Sequence, residues 1–312
     1  MNTNPLVSVV VVTYNDSAFI IETLESIKKQ TYSNIELIVS DDGSNDDTVK
    51  LVKEWVRFNS YSFVSCKVME VTKNTGVTRN YQRAEKAASG IWLKTIGGDD
   101  ILYPNCISEH VRYVSNNDNV DVVVCRQELI DENGDKMPIS TKGTNYYSFF
   151  RASNTIQRQF LLRFDPIEDT CLFKSKKMME DINYYDCDFP MQEDTPLKMR
   201  IALGGFKYWN QDQFLLAKRM RAGSLSGKSD KRLIVNNDIV RKEINKKYYI
   251  PQLSGIEKLM MIYDGWVVSF FFSNPLVNNK NLICRMLLLV LRFPVRVLKE
   301  IKINKLKTLL DK

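Results

Sequence analysis

The sequence is poor in the residues that build zinc, disulfide and hydrolase sites. It has one histidine, His110, and six cysteines that are widely scattered without a CxxC pair. Structural zinc sites and disulfide frameworks need closely spaced ligands, so neither is expected, and the cysteine pattern is typical of a reducing compartment. A hydrolase with a catalytic histidine would have to use His110, which no GxSxG motif accompanies. His110 is therefore interpreted as structural.

The common phosphate-binding motifs are also lacking. No GxGxxG motif follows the first apolar run and no GxxxxGK[ST] motif occurs, which argues against nicotinamide dehydrogenases and P-loop NTPases. A nucleotidyltransferase would need a glycine-rich basic loop after the first strand, where this chain has TYNDSAF at residues 13–19. A nucleotidyltransferase is therefore kept only as a weaker alternative.

Neither a signal peptide nor a membrane span is predicted. The apolar run at residues 6–13 is short, and no positively charged region precedes it. With 44% apolar and 26% charged residues, the 312-residue chain is long enough to bury a large core. The net charge of +7 is concentrated from Lys280 onward, whereas acids cluster in loops such as SDDGSNDD at 40–47. This distribution argues against a nucleic-acid groove, and a cytoplasmic location is expected.

The first third of the chain alternates between strand and helix patterns. Continuous β-branched or apolar runs predict strands, and apolar residues at helical spacing predict the helices between them. The βαβαβαβ order predicts an α/β fold with a doubly wound, mainly parallel sheet. The predicted elements occupy residues 7–13, 17–30, 35–40, 46–58, 66–71, 77–88 and 90–96, followed by a helix at 105–114 and a fifth strand at 120–125.

Polar segments follow all four of these strands, and three of the segments contain glycine. Because the carboxyl ends of parallel strands meet at one edge of a sheet, the segments should line one crevice. Asp99 and Asp100 lie side by side, and such close like charges cost free energy unless a cation or a set of hydrogen-bond donors stabilises both. A Mg²⁺ or Mn²⁺ ion that bridges a diphosphate would be such a cation, and Arg79 would meet phosphate. The segments are TYN at 13–15, SDDGS at 40–44, TKNTGVTRN at 72–80 and GGDD at 97–100.

A structural explanation competes with this functional one. Asp, Ser and Asn favour turns and helix N-termini, so DDGSNDD at 41–47 could serve only as a turn and cap. Arg79 could equally be a surface residue of its helix. The placement of polar segments after four successive buried strands favours a binding site.

The segments resemble family 2 glycosyltransferases, an inverting group with the GT-A fold. The resemblance rests on VSVVVVTYNDSAFIIETLESIKKQTYSNIELIVSDDGSNDDT, NTGVTRNYQRAEKAASGIWLKTIGGDDILYP and MQEDTPLKMRIALGG, which cover most of residues 6–105 and a block at 191–205. It implies a nucleotide-diphosphate-sugar donor and a Mn²⁺ or Mg²⁺ cofactor. The residues it implies are Thr13, Tyr14, Asp41, Asp42, Arg79 and Asp99 around the nucleotide, Asp99 and Asp100 at the metal, and Glu193 and Asp194 as the source of the general base.

Two positions depart from the commonest pattern of that family. Gly97 stands where the pattern Asp-x-Asp-Asp has its first carboxylate, which leaves open which of Asp99 and Asp100 touches the metal. In AKRMRAGSLSG, residues 217–227, Arg221 stands where the family's Arg-x-His-x-x-Ser segment often has histidine. Arginine has no lone pair to give a metal, so Arg219 and Arg221 are predicted to neutralise phosphate. A basic surface loop is the alternative.

The transfer chemistry itself needs one carboxylate as base. The acceptor hydroxyl loses its proton as it attacks the anomeric carbon, and a carboxylate within hydrogen-bond reach suffices. The segment FPMQEDTPLK at 189–198 offers Asp194 at the entrance to a predicted helix, and Asp194 is favoured over Glu193. Helix capping is the competing explanation.

The C-terminal tail has a basic and an apolar face. Arg285, Arg292, Arg296 and Lys299 recur at helical spacing, and Pro294 should kink or divide the helix. The arginines leave the apolar run too short to span a bilayer, and the pattern favours an interfacial helix on an anionic membrane. The alternatives are packing on the protein's own core or on a second subunit as a homodimer.

These features combine into one functional prediction. Residues 1–228 are predicted to form a GT-A-like domain, with 6–105 binding the donor and 106–228 the acceptor, and 229–312 to form a helical region. The predicted protein is an inverting, metal-dependent glycosyltransferase that takes a UDP-sugar and extends a glycan or lipid-linked acceptor in surface polysaccharide synthesis, at the inner face of the cytoplasmic membrane. A nucleotide-sugar-binding scaffold without turnover, motivated by Gly97, is the main rival.

Overall fold

A computed structural model describes residues 4–138, 144–221, 240–273 and 282–310. The strands are β1 Val7–Thr13, β2 Ile35–Asp41, β3 Ser65–Glu70, β4 Trp92–Gly97, β5 Ile101–Leu102, β6 Val122–Ile130, β7 Leu172–Ser175 and β8 Tyr208–Arg219. The longer helices are α1 Ile20–Lys28, α2 Thr48–Asn59, α3 Val77–Lys86, α4 Cys106–Ser115, α5 Thr144–Arg151, α6 Asn154–Leu161, α7 Lys176–Asp181, α8 Asp194–Leu203, α9 Gly255–Ser273 and α10 Leu282–Leu310.

The chain forms two compact units. The first comprises Met1–Lys142 and Ile167–Arg221, and the second Gly143–Pro166 and Ala222–Lys312. Residues 143–166, which the sequence analysis assigned to the acceptor part, thus group with the C-terminal segment, because α5 and α6 pack against α10. The predicted boundary between residues 228 and 229 lies outside the described residues and stays a prediction.

The first unit is built on one sheet, which has eight strands within the described residues, in the order β3-β2-β1-β4-β7-β6-β8-β5. Strands β1, β2, β3 and β4 pair in parallel, as do β6 and β8. Strand β7 runs antiparallel between β4 and β6, and β5 runs antiparallel to β8. Every residue of β1 and β2 is buried, as their continuous apolar runs predict.

One carboxylate links the strands at the amino ends of the sheet. Glu36 of β2 is buried and accepts hydrogen bonds from the Ser8 hydroxyl at 2.5 Å and the Ser89 backbone N–H at 2.7 Å, while Lys67 Nζ lies 2.9 Å away. Burial by itself raises the pKa of Glu36, but the hydrogen bonds from Ser8, Ser89 and Lys67 outweigh it and lower the pKa to about 2. The ionised form therefore stabilises the fold.

Replacing Glu36 with Gln should make the protein less stable at neutral pH and less sensitive to acid. The folded pKa lies below the ordinary value, so the stabilisation is complete above pH 4.5 and is lost as the pH falls toward 2. We expect Glu36→Gln to lower the free energy of unfolding by about 1–3 kcal/mol at pH 7. The difference from wild type should shrink at pH 3, as measured by urea unfolding. Glu70→Gln, which affects an exposed pair with Lys53, serves as the control.

A buried ion pair holds α3 against the middle of the sheet. Lys174 Nζ of β7 lies 2.5 Å from Glu85 Oε1, and both side chains are buried. The hydroxyls of Tyr185 and Thr95 donate to the same oxygen at 2.8 and 2.5 Å. Removal of either charge would leave the other buried without compensation, so this pair fixes the position of α3 beside β4.

The single histidine is a core residue. His110 on α4 is buried and stacks on Phe173 with ring centroids 4.7 Å apart, and Phe173 stacks in turn on Trp92. Burial lowers the pKa of His110, which favours the neutral ring. These contacts agree with its interpretation as a structural residue.

The second unit is helical, and its aromatic residues mostly form its core. Tyr146, Phe149 and Phe150 of α5 are buried and make edge contacts with one another, whereas Tyr147 is partly exposed. In this unit α9 packs against α10, and Pro294 lies inside α10 without dividing it. No helix of the described residues is both long and apolar enough to cross a membrane.

The predicted basic face of α10 is turned inward in part. Arg292 makes two hydrogen bonds to Asp264 of α9, at 2.7 and 3.0 Å, and burial lowers the pKa of Lys299. Only Arg296 among the described basic side chains named above is exposed, and the Arg285 side chain lies outside the description. The alternative of packing within the protein thus holds for Arg292, because Asp264 offers it a carboxylate within the unit, and membrane binding stays a prediction.

The outward surfaces of the two helices are largely apolar instead. This apolar face consists of side chains at helical spacing along both α9 and α10, and each is at least 38% exposed. Its members are Ile256, Leu259, Ile262, Trp266 and Phe270 of α9 and Met286, Leu287, Leu289, Val290, Phe293, Val297 and Ile301 of α10.

Candidate active site at the carboxyl edge of the sheet

The end of β1 forms a tight turn beside the end of β4. The Thr13 hydroxyl donates to Asp16 Oδ2 at 2.8 Å, and the Tyr14 N–H reaches the same oxygen at 3.1 Å. A Cβ at Gly98 would lie 2.6 Å from Asp16 Oδ2 and 2.7 Å from Thr13 Oγ1. The second glycine of GGDD is therefore required for the two strand ends to meet, since a side chain would collide with this turn. Tyr14 is 40% exposed at the crevice.

The two aspartates after β2 hold the neighbouring loops. Asp41 accepts from the N–H groups of Gly43 and Ser44 at 2.9 and 2.8 Å. Asp42 accepts from the N–H groups of Thr75 and Gly76 at 3.0 and 2.8 Å, and from the Thr75 hydroxyl at 2.5 Å. The structural explanation of DDGSNDD is thus realised for both carboxylates. Their predicted contacts with base and ribose stay predictions.

The arginine that pairs with these aspartates is Arg83 and not Arg79. Arg83 lies 3.3 Å from Asp42 Oδ1 and donates to Asn80 Oδ1 at 2.7 Å and to Ser40 Oγ at 3.2 Å. Arg79, one turn earlier on α3, is exposed and makes no side-chain hydrogen bond or ion pair among the described residues. Sequence reasoning missed Arg83, although its i,i+4 spacing from Arg79 places both on one face of the helix.

The Asp99–Asp100 pair has two different environments. Asp100 is buried, and its Oδ1 accepts from the Arg219 N–H at 2.9 Å. Burial, followed by the charge of Asp99, raises the pKa of Asp100 to about 7. Asp99 is more accessible and faces the Arg221 guanidinium. The two carboxylates therefore differ in burial and in the group that each one contacts.

The guanidinium of Arg221 joins Asp99 to a third carboxylate, Asp16. Arg221 Nη2 lies 2.5 Å from Asp16 Oδ1, and Nε lies 2.8 Å from Asp99 Oδ2. Burial, followed by the charge of Asp99, raises the pKa of Asp16 despite the hydrogen bond from Thr13. The cation that the GGDD segment requires is thus present within the chain. Asp16 was missed from the sequence, where it reads as the polar residue after the TYN turn.

The Arg219 guanidinium is engaged in hydrogen bonds and an ion pair within the protein. Its Nε donates to the Asp99 carbonyl at 3.0 Å and its Nη1 to the carbonyls of residues 131 and 132 at 3.1 and 3.0 Å. Its Nη2 lies 2.6 Å from Glu22 Oε2, and the guanidinium stacks over Phe19. Phosphate binding by Arg219 would require these bonds to break, so that role stays a prediction, and the side chain serves here to hold the GGDD turn.

The two residues predicted as the source of the general base, Glu193 and Asp194, lie at the start of α8. Their carboxylates have different environments. Asp194 accepts from the Thr195 N–H at 2.6 Å, lies 3.6 Å from Lys198 Nζ, and has a side chain that is 40% exposed. Burial raises the pKa of Glu193. Asp194 is the member that a solvent-borne acceptor could reach.

Two further side chains connect Glu193 with the aspartate pair. Burial, then the charges of Glu193 and Asp100, raises the pKa of Tyr81 well above its ordinary value. Lys218 acts on both carboxylates and opposes the rise in the pKa of each. The carboxylates of GGDD and QED therefore belong to one electrostatic cluster. Sequence reasoning missed Lys218, which lies inside the quoted AKRMRAG segment.

The donor set fits a divalent cation only in part. Within the described residues, no group of three or more His, Cys, Asp or Glu side chains is arranged to hold a metal ion. The guanidinium between Asp16 and Asp99 nevertheless acts as a stand-in cation, because two carboxylates converge on it. Carboxylate oxygens are the ligands that Mg²⁺ and Mn²⁺ prefer, so these residues suit such an ion once the guanidinium leaves.

The sequence profile described as "Glycosyl transferase family 2" matches residues 8–180, more than half of the chain. The chain belongs to this family. The resemblance to family 2 glycosyltransferases is therefore confirmed, and the matched residues include the TYN, DDGS and GGDD segments.

Curated relatives carry glycosyltransferase names. An uncharacterized glycosyltransferase of Rickettsia typhi is 35% identical over 130 residues, which is 41% of this chain and 38% of that protein. One from Haemophilus influenzae is 26% identical over 68% of this chain and 61% of that protein. The chondroitin synthase of Escherichia coli is 29% identical over 44% of this chain and 20% of that protein. The chain thus spans less than two thirds of each of these relatives.

Solved structures share the fold. Staphylococcus aureus TarS residues 1–349, in complex with UDP-GlcNAc, has a TM-score of 0.60 at 19% identity, covering 88% of this chain and 74% of that one. The mannosyltransferase PcManGT of Pyrobaculum calidifontis, in complex with GDP-Man and Mn²⁺, has a TM-score of 0.57 at 15% identity, covering 98% and 86%. The predicted GT-A-like, mainly parallel sheet with a helical C-terminal part is confirmed.

Arg83 and Arg79 should differ sharply in their effect on stability. Arg83→Ala removes hydrogen bonds to buried partners and leaves Asp42 without its arginine, so we expect a loss of about 1–3 kcal/mol in the free energy of unfolding. Arg79→Ala should change it by less than about 0.5 kcal/mol because the side chain is exposed. Chemical denaturation of both variants measures the difference. Equal losses would mean that Arg83 does not anchor the loops after β2 and β3.

Proposed function

We propose that this protein is an inverting glycosyltransferase that moves a sugar from a nucleotide-diphosphate sugar to a glycan or lipid-linked acceptor. The observation that carries the proposal is the convergence of Asp16, Asp99 and Asp100 with Arg221 at the carboxyl edge of a parallel sheet. This edge is where α/β sheets bind nucleotides. Membership of glycosyl transferase family 2 supports the reaction class.

A UDP-sugar is the donor that we favour. TarS, which shares the fold, was solved with UDP and with UDP-GlcNAc. In the proposed complex Thr13, Tyr14, Asp41 and Asp42 surround the base and ribose. The exposed ring of Tyr14 offers a face for the base, and Arg79 projects from α3 toward solvent, free to meet the diphosphate.

Asp99 and Asp100 are the proposed ligands of a Mn²⁺ or Mg²⁺ ion. Such an ion, when bound, neutralises the charge that develops on the departing diphosphate. The accessible carboxylate of Asp99 makes it the better candidate for direct contact, whereas Asp100 is buried and bonded to the Arg219 N–H. A mannosyltransferase of the same fold was solved with Mn²⁺, which supports this choice of ion.

Asp194 is the proposed base. Its half-exposed carboxylate can accept the proton of the acceptor hydroxyl while the sugar is displaced from the opposite face. Glu193, which is only part-buried, would set the electric field around the reacting atoms together with Lys218 and Tyr81. In this scheme no covalent sugar–enzyme intermediate forms, and the anomeric configuration inverts in one displacement.

The decisive experiment measures nucleoside diphosphate release from a panel of UDP-, GDP-, CMP- and dTDP-sugars with Mn²⁺. We expect turnover with one nucleotide class, and Asp194→Asn to lower kcat about 10²- to 10⁴-fold while the donor still raises the melting temperature. Glu193→Gln is run in parallel, and Asp181→Asn on α7 is the control. Full activity of Asp194→Asn would remove it as the base. Donor binding without turnover in wild type would favour the scaffold, and pyrophosphate release a nucleotidyltransferase.

We also propose that α9 and α10 bind the inner face of the cytoplasmic membrane, where a lipid-linked acceptor for surface polysaccharide synthesis would be within reach. The apolar face of these helices is larger than the isolated exposed residues usual for a monomer. Exposed Lys258, Arg296 and Lys305 add positive charge suited to anionic lipid. Binding would therefore depend mainly on apolar burial, with a smaller contribution from charge.

Vesicle sedimentation tests this proposal. Wild type should bind vesicles that contain phosphatidylglycerol, and Trp266→Glu combined with Phe293→Glu should reduce binding at least about tenfold, because two side chains that are each 62% exposed lose their apolar surface. Phe58→Glu alters an equally exposed aromatic residue of α2 and should bind like wild type. Absence of binding, with a dimeric mass in solution that the double variant abolishes, would assign the face to a second copy.

A further inference from the structure

The guanidinium of Arg221 occupies the point that a divalent cation would need. It lies 2.5 Å from Asp16 Oδ1 and 2.8 Å from Asp99 Oδ2, and so bridges the turn after β1 and the turn after β4. A metal ion bound by Asp99 and the guanidinium bound by the same carboxylate would place two cations within a few ångströms of each other. Their repulsion makes the two states mutually exclusive.

Arg221 differs from its neighbour Arg219 in what holds it. Arg219 is anchored by three backbone carbonyls and Glu22, and its side chain is almost fully buried. Arg221 is held by two carboxylates, and about a quarter of its side chain is exposed. An arginine held mainly by charge can exchange one anionic partner for another, and phosphate oxygens accept hydrogen bonds from a guanidinium as carboxylate oxygens do.

We propose that Arg221 is an internal counter-ion of Asp16 and Asp99 that closes the cation site at Asp99 until the donor arrives. Metal alone binds weakly because it must displace the guanidinium without offering it another anion. A nucleoside diphosphate provides that anion. The guanidinium then leaves the carboxylates and binds phosphate, and the carboxylates bind the metal. The second half of this exchange rests on the proposed function, whereas the exclusion of metal by Arg221 does not.

The proposal gives Asp16 a role in the site. Asp16 Oδ2 accepts from the Thr13 hydroxyl and the Tyr14 N–H, and its Oδ1 is left for the guanidinium. When the guanidinium leaves, this oxygen and Asp99 become a paired carboxylate site in which like charges repel. A divalent cation relieves that repulsion, which couples metal affinity to the position of Arg221.

Mn²⁺ binding without nucleotide tests the exclusion directly, with free Mn²⁺ measured by electron paramagnetic resonance. Arg221→Gln removes the cation and keeps a similar length, so it should bind Mn²⁺ at least about tenfold more tightly than wild type. Arg221→Gln with Asp99→Asn should lose this gain. Arg126→Gln, which removes another part-buried arginine paired with a carboxylate, Asp212, is the matched control and should match wild type. Equal affinity of Arg221→Gln and wild type, or a gain that persists in the double variant, would overturn the proposal.

A second measurement uses wild type and does not depend on the folding of a variant. UDP should raise the affinity for Mn²⁺ at least about tenfold, and Mn²⁺ should raise that for UDP by the same factor because the coupling is reciprocal. Tight Mn²⁺ binding by wild type without UDP would overturn the proposal. If no nucleotide binds, the proposed function fails, and the comparison of wild type with Arg221→Gln in Mn²⁺ alone still decides the role of Arg221.

Discussion

The structure at the carboxyl edge of the sheet depends on neutralising the negative charge of clustered carboxylates. Asp16, Asp99 and Asp100 lie on two adjacent turns, and the fold tolerates them because the end of β8 supplies an N–H donor and Arg221, just after β8, supplies a cation. Arg219 ties the turn to Glu22, and Arg221 balances the charges of buried Asp16 and part-buried Asp99. In the proposed function, the same excess of negative charge that must be neutralised for folding attracts the divalent cation. Stability without a ligand and affinity for one are therefore opposed at this site, as is common where charged groups are held for chemistry.

Side chains that the sequence predicts to bind the nucleotide also hold the loops in place. Asp41 and Asp42 bind backbone N–H groups of the loops after β2 and β3, which positions the start of α3. Gly76, with φ of +93°, lets that start approach Pro190, whose carbonyl accepts from the Thr78 N–H at 3.2 Å. Pro190 lies just before the QED segment. The loops after β2 and β3 and the segment before QED are thus mechanically connected through the start of α3.

The sequence was sufficient for the elements and for their convergence, because buried parallel strands have an unmistakable apolar pattern and their ends must share an edge. It did not reveal which partner each polar group chooses. Arg83 rather than Arg79 meets Asp42, and Arg292 turns inward to Asp264, since both choices depend on residues more than 25 positions away. Asp16 and Lys218 carry no local signal. The family resemblance supplied GGDD and QED, but the pairing of Asp99 with Arg221 joins residues 122 positions apart and required the structure.

The sheet order has a consequence for how the protein is made. Strands β1 to β4 come from the first 97 residues and can pair as the chain emerges from the ribosome. Strand β5, next to the GGDD turn, pairs with Leu216 and Ala217 of β8. Asp100 cannot accept its hydrogen bond from the Arg219 N–H until Arg219 has been synthesised. More than a hundred residues, including the α5–α6 excursion into the second unit, must be synthesised between these partners. A nascent chain therefore carries its acidic turn uncompensated for several seconds at ordinary translation rates of about 5–20 residues per second, and the site is the last part of the sheet to be completed.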